Sequence, residues 1–196
     1  NKLMGIQQLE KVSYQAFYTR TEARYFLLQI YGMENMSDKA YDLAKYTHAN
    51  FPDNPFFHRY LARSAFMTGK LDQAMELSKD ILLKIGQNQI GYEATSGRYA
   101  SYILGYYYLY VFKNPVDAKK HFNDCLSFSK QTDSMDSGYY WASVLGLARI
   151  AFQESNYDQA VDYCKEVLDK ADRKSSQHTE AKKLLAEAKK ARRERK

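Results

Sequence analysis

Apolar residues recur at intervals of three and four along much of the chain, which is the spacing of one helix face. One such stripe consists of Leu71, Ala74, Leu77, Ile81 and Ile85. The apolar stretch FFHRYLARSAFM precedes it over residues 56–67, and Gly69 lies between the two. Asn54 followed by Pro55 is typical of a helix start, because Asn caps free N–H groups and proline fits the first turn. The pattern predicts a helical hairpin over residues 54–85.

The same two-helix unit occurs three more times, over residues 19–52, 90–129 and 134–171. In all four units the second helix carries a small residue early, at intervals of 34, 44 and 42 residues: Ala40, Ala74, Ala118 and Ala160. Thr19 and Glu22 have the spacing of a capping box at the start of the first unit. The repetition predicts an all-α fold.

A period near 34 residues built from helical hairpins resembles the tetratricopeptide repeat. The likeness depends on these early alanines and on a Leu followed by a small residue in the first helix, namely Leu61-Ala62, Leu104-Gly105 and Leu147-Ala148. Leu27-Leu28 departs from that pattern, and residues 87–97 and 132–138 are insertions. The resemblance covers residues 19–171 and implies a right-handed α-solenoid of about four hairpins.

A further helix is predicted on each side of the hairpins. Residues 3–17 have Ile6, Leu9 and Val12 on one side, which fits either the second helix of a truncated upstream repeat or an ordinary capping helix. Residues 176–195 are mostly polar with a narrow apolar stripe, as the terminal cap of a repeat stack requires. The stripe is Ala181, Leu184, Leu185 and Ala188. We expect one domain over residues 1–196, as a fragment of a longer chain.

The formal net charge of +6 belongs entirely to the C-terminal tail. Residues 182–196 contain eight basic and two acidic residues, which leaves 21 of each over residues 1–181. A terminal block of like charge is usually solvated, and the alternative is contact with an acidic surface, nucleic acid or anionic lipid. Phosphate binding needs a basic track, so nucleic acid is an expected partner only through this tail. No apolar run is long enough to span a membrane, and we expect a soluble protein.

Sequence motifs for catalysis are absent. The chain has no phosphate-binding glycine loop, no HExxH and no GxSxG, and its four histidines lack metal-ligand spacing. Cys125 and Cys164 fall on apolar helix faces, which favours buried free thiols and leaves a disulfide open. We therefore expect no enzymatic activity, no cofactor and no metal.

The tetratricopeptide resemblance implies that the first helix of each hairpin lines a concave groove for extended peptides or partner helices. The groove candidates are Tyr25, Gln29, Arg59, Arg63, Phe66, Tyr102, Tyr106, Tyr110, Arg149 and Phe152. Arg59 and Arg63 lie one helical turn apart, so both can hold one carboxylate-bearing segment or pair with neighbouring carboxylates. Tyrosines surround the helix that contains Tyr106 on all sides, so some of them must belong to the core.

These features favour a bacterial scaffold protein that binds a protein or peptide segment in a Tyr- and Arg-lined groove. The alternative is a structural or self-assembly module that docks on its own upstream region or forms a homo-oligomer. We expect the bacterial envelope or periplasm if an upstream signal was removed, and otherwise the cytoplasm.

Overall fold

The computed structural model describes residues 2–195, and all regular secondary structure in that range is helical. The helices are α1 (Lys2–Gln15), α2 (Arg20–Met33), α3 (Ser37–Asn50), α4 (Pro55–Met67), α5 (Leu71–Gly86), α6 (Ala94–Tyr110), α7 (Pro115–Gln131), α8 (Gly138–Gln153), α9 (Tyr157–Lys170) and α10 (Ser176–Glu194). They confirm the predicted all-α fold, with four helix pairs from α2/α3 to α8/α9 and one helix on either side. None of the helices in this range is both long and apolar enough to cross a membrane.

The chain divides into two compact units, and the boundary between Leu77 and Ser78 falls within α5. In the first unit the helices pack in chain order, α1 on α2, α2 on α3 and α3 on α4. In the second unit, consecutive helices from α6 to α10 also pack in order. There α8 also packs against both α6 and α10. The first helices of successive pairs, which we call the leading helices, are therefore neighbours. Packing of this kind is that of a helical-repeat α-solenoid. Its handedness, the single domain and the tetratricopeptide family stay predictions.

The turn inside each helix pair contains one residue in the left-handed conformation. These residues are Asn35, Gly69, Lys113 and Ser155, with φ between 55° and 75°. Each lies five positions before the early alanine of its helix pair, and all four of those alanines are buried. The four helix pairs therefore share one turn geometry, although only one of them has glycine at the left-handed position.

The two helix-start signals in the sequence have different outcomes. Asn54 accepts hydrogen bonds from the backbone N–H groups of Phe56 and Phe57, at 3.0 and 3.3 Å, as predicted. The predicted capping box at Thr19 is wrong, because Thr19 makes no side-chain cap and its ψ of 14° differs from the extended backbone of a typical N-cap residue. Helix α1 is also rotated from the expected face, since Val12 is 37% exposed and Ser13 is buried instead.

Phe122 of α7 lies between α6 and α8, against a glycine of each helix. A Cβ atom placed on Gly105 of α6 would lie 2.6 Å from the Phe122 ring, and one on Gly146 of α8 would come closer still. Leu147 and Ile150 complete the surrounding core. The two glycines thus let the helices approach a fully buried ring from both sides.

Both cysteines are buried and carry free thiols, as expected. Burial raises the pKa of Cys125 and of Cys164 to about 11, so the reactive thiolate is scarce near neutral pH.

We predict that Gly105→Ala and Gly146→Ala each destabilise the second unit by about 1–3 kcal/mol, because the added methyl group displaces Phe122. Gly86→Ala is the matched control, since nothing lies within 4 Å of a Cβ at that position in the same unit. Urea unfolding followed by circular dichroism measures the difference. Equal stability of all three variants would contradict the close packing described above.

We predict that Lys113→Gly stabilises the second unit by about 0.5–1 kcal/mol, because glycine adopts a positive φ without the Cβ clash. Lys120→Gly, at an exposed position within α7, is expected to cost about 1 kcal/mol. Thermal unfolding of the two variants beside the parent chain tests the difference. A lower melting temperature for Lys113→Gly would show that the turn geometry is not as described.

Candidate functional site

Three tyrosines of α6 lie one helical turn apart and line the same pocket: Tyr102, Tyr106 and Tyr110. The ring centroids of Tyr106 and Tyr110 are 4.6 Å apart. Tyr102 lies deeper, with its ring 6.3 Å from that of Phe122. The packing of Phe122 therefore fixes the position of this tyrosine row relative to α8.

Helices α8 and α10 place a charged pair opposite the tyrosines. The guanidinium of Arg149 on α8 forms a salt bridge with the carboxylate of Glu180 on α10. Its central carbon lies 6.0 Å from the centroid of the Tyr110 ring, within the range of a cation–π contact. Both side chains remain more than a third exposed, so the pair adds little stability and its charges are accessible to a partner.

The tyrosines and Arg149 surround a pocket of about 100 Å³ in the second unit. Phe122, Leu145, Ala142 and Gly146 supply its apolar part, and Glu180 completes the lining. Sites that hold whole small-molecule ligands measure roughly 300–1,000 Å³, so this pocket has room for a single side chain. Four of the ten predicted site residues are thus brought together.

The hydroxyls of Tyr102 and Tyr110 in this pocket stay protonated near neutral pH. Burial raises the pKa of Tyr102, and it also raises the pKa of Tyr110 although the nearby Arg149 opposes that shift. Protonated phenols donate as well as accept hydrogen bonds. The arrangement can therefore hold an apolar side chain at its base and polar groups at its rim.

Three predicted residues of the first unit, Tyr25, Arg59 and Arg63, lie in a separate row of rings and cations on α2 and α4. The rings of Tyr25 and Phe56 are 4.2 Å apart. Arg59 lies over the Phe56 ring at 5.4 Å, and Arg63 lies over the Tyr60 ring at 5.3 Å. Each guanidinium thus contacts a ring on its own helix.

The other three predicted residues lie outside the pocket of the second unit. Gln29 and Phe66 are half-buried on α2 and α4 of the first unit. Phe152 packs on Tyr157, with ring centroids 5.6 Å apart, and against the buried cluster that contains Ala160 and Ala188. Phe152 therefore belongs to the packing between α8, α9 and α10.

Sequence reasoning did not identify Glu180 as part of the site. The signal was available, because a capping helix that comes after four hairpins occupies the place of the next leading helix and so contributes one face to the same surface.

Two arginines of the basic tail contact residues of the last helix pair. Arg192 pairs with Asp158 at 2.9 Å, and Arg195 donates to the carbonyl of Ser155 at 2.8 Å.

Within residues 2–195, no group of three or more His, Cys, Asp and Glu side chains is arranged to hold a metal ion.

No protein-family model matches the chain, and no curated protein matches it. Among solved structures, the crystal structure of BtubC (BKLC) from P. vanneervenii is similar, with a TM-score of 0.55. The similarity covers 95% of this chain and 86% of that one at 16% sequence identity. At this identity the likeness establishes the helical fold of the chain, and fold alone does not assign a function.

Proposed function

We propose that this chain is a non-enzymatic module that binds a peptide or protein segment across α6, α8 and α10. The observation that carries the proposal is the convergence of Tyr102, Tyr106, Tyr110 and Arg149 on one pocket. Tyrosine and arginine are enriched among residues that dominate protein interfaces, where they surround pockets for a partner's anchor side chain.

The size and lining of the pocket define what the segment must offer. An apolar side chain of the partner enters beside Ala142 and Gly146 and contacts Phe122 at the base. Polar groups next to that anchor meet the phenol hydroxyls and the Arg149–Glu180 pair. The segment then runs over the neighbouring leading helices, as extended ligands do in helical-repeat proteins.

We predict that Ala142→Leu fills the pocket and weakens peptide binding at least tenfold, because the anchor side chain loses its place. Peptides are selected from a random twelve-residue phage library on the intact chain, and their affinities are measured by fluorescence anisotropy. Ala186→Leu is the matched control, since Ala186 is exposed on α10 and lies outside the pocket lining.

Equal affinity of the parent chain and Ala142→Leu would place binding elsewhere. Failure to select any peptide, together with concentration-dependent association in sedimentation velocity, would favour the alternative of a self-assembly module.

We predict that exchanging the charges of the Arg149–Glu180 pair restores the melting temperature of the chain but not its affinity for peptides. Arg149→Glu alone places two carboxylates together and lowers the melting temperature. The double variant Arg149→Glu/Glu180→Arg restores the attraction and recovers most of that loss. Selected peptides whose polar groups contact Arg149 still bind the double variant less tightly than the parent in anisotropy titrations. Full recovery of peptide affinity would show that this pair serves only to hold α8 against α10.

A further inference from the structure

The first unit contains a separate cleft of about 400 Å³ between α1, α2 and α3. Its apolar and aromatic lining is Leu27, Leu43, Tyr14, Tyr31 and Tyr46. Its charged lining is Glu10, Arg24, Lys39 and Asp42. The volume lies at the small end of the range for sites that enclose whole small-molecule ligands. This cleft shares no residue with the pocket on α6, α8 and α10, so a ligand bound in it would be independent of the proposed function.

Arg24 is the unusual group in this cleft. Its side chain lines the cavity, yet the residue is only 6% exposed. The central carbon of its guanidinium lies 4.6 Å from the Tyr46 ring centroid. Among residues 2–195, that guanidinium has no ion pair and no hydrogen-bond partner. Arginine is almost never this buried unless it is paired, because desolvating a charge is costly.

The other charged groups of the cleft do not neutralise Arg24. The carboxylate of Glu10 accepts hydrogen bonds from the Tyr31 hydroxyl at 2.6 Å and from the Lys39 ammonium at 2.8 Å. Asp42 is exposed and forms no salt bridge with Arg24. The cleft therefore presents one buried cation with five N–H donors in a planar fork.

We propose that this cleft binds a small organic monocarboxylate with an apolar or aromatic body. The guanidinium of Arg24 holds the carboxylate with two parallel hydrogen bonds, as arginine does with planar oxyanions. Leu27, Leu43 and the surrounding tyrosine rings contact the apolar body. A single negative charge matches the one unpaired cation, whereas a phosphate dianion would also face the carboxylates of Glu10 and Asp42.

The test compares three acids with their amides on the full chain by isothermal titration calorimetry. The acids are 3-phenylpropionate, indole-3-acetate and hexanoate, and phenyl phosphate is a fourth probe. We expect at least one acid to bind at least tenfold more tightly than its amide and than phenyl phosphate. Failure of all three acids to bind, equal binding of acid and amide, or tighter binding of the phosphate would overturn the proposal.

Variants assign the binding to Arg24. We expect Arg24→Met to weaken binding of the acid at least tenfold. Arg20→Met, one turn earlier on α2, should leave it within twofold, because Arg20 lies outside the cleft and donates to the Ala16 carbonyl. Arg24→Lys keeps the charge without the fork and should give an intermediate affinity. Unchanged affinity of Arg24→Met would overturn the proposal.

Two further measurements guard against a merely structural role of Arg24. Removing a buried cation without a paired carboxylate should leave the melting temperature of Arg24→Met equal to or above that of the parent chain. If that variant unfolds instead, Tyr14→Glu provides the test, since Tyr14 is 74% exposed and lines the cleft. A carboxylate there should weaken binding of the acid at least tenfold, and unchanged affinity would overturn the proposal.

Discussion

The close approach of two glycine-bearing helices to Phe122 is the constraint on which the second unit depends. A methyl group on Gly105 or Gly146 cannot be accommodated without displacement of the Phe122 ring. Because close-packed interiors resist such displacement, the packing of Phe122 between the two glycines sets how closely α6 and α8 approach. The same ring forms the base of the candidate site. The packing of Phe122 in the core therefore also sets the distance between the tyrosines of α6 and Arg149 of α8.

Much of the fold could be predicted from local sequence. Helix pairs follow from apolar residues at three- and four-residue intervals, and the early alanines mark where two helices approach. The left-handed turn was signalled at Gly69 and more weakly at Asn35, whereas nothing in Lys113 or Ser155 favours a positive φ. Their conformation is set by the repeat, which places them at the equivalent position. Thr19 shows the opposite failure, since a capping spacing has no effect when the backbone before the helix is not extended.

The candidate site was predictable only as far as it lies on single helices. Tyr102, Tyr106 and Tyr110 share a face because they are four residues apart, and that spacing is visible in the sequence. Phe152, three positions after Arg149, is turned about 60° around α8 and faces α9 and α10 instead. Which side of a helix meets a third helix is decided by tertiary packing. The place of α10 after four hairpins was a signal that it contributes to this surface, but packing decides that Glu180 is the α10 residue that meets Arg149.

The two arginines at the centre of the proposals differ in what surrounds them. Arg149 has a carboxylate partner and is partly exposed, so exchanging Glu180 for a group on a partner costs little. Arg24 is buried, and its guanidinium lies over the Tyr46 ring with no ion pair or hydrogen bond among the described residues, so a bound anion would supply the partner that it lacks. A paired surface arginine suits reversible contact with a segment, whereas a buried unpaired one suits enclosure of a small anion. The environment of the side chain, and not its type, distinguishes the two sites.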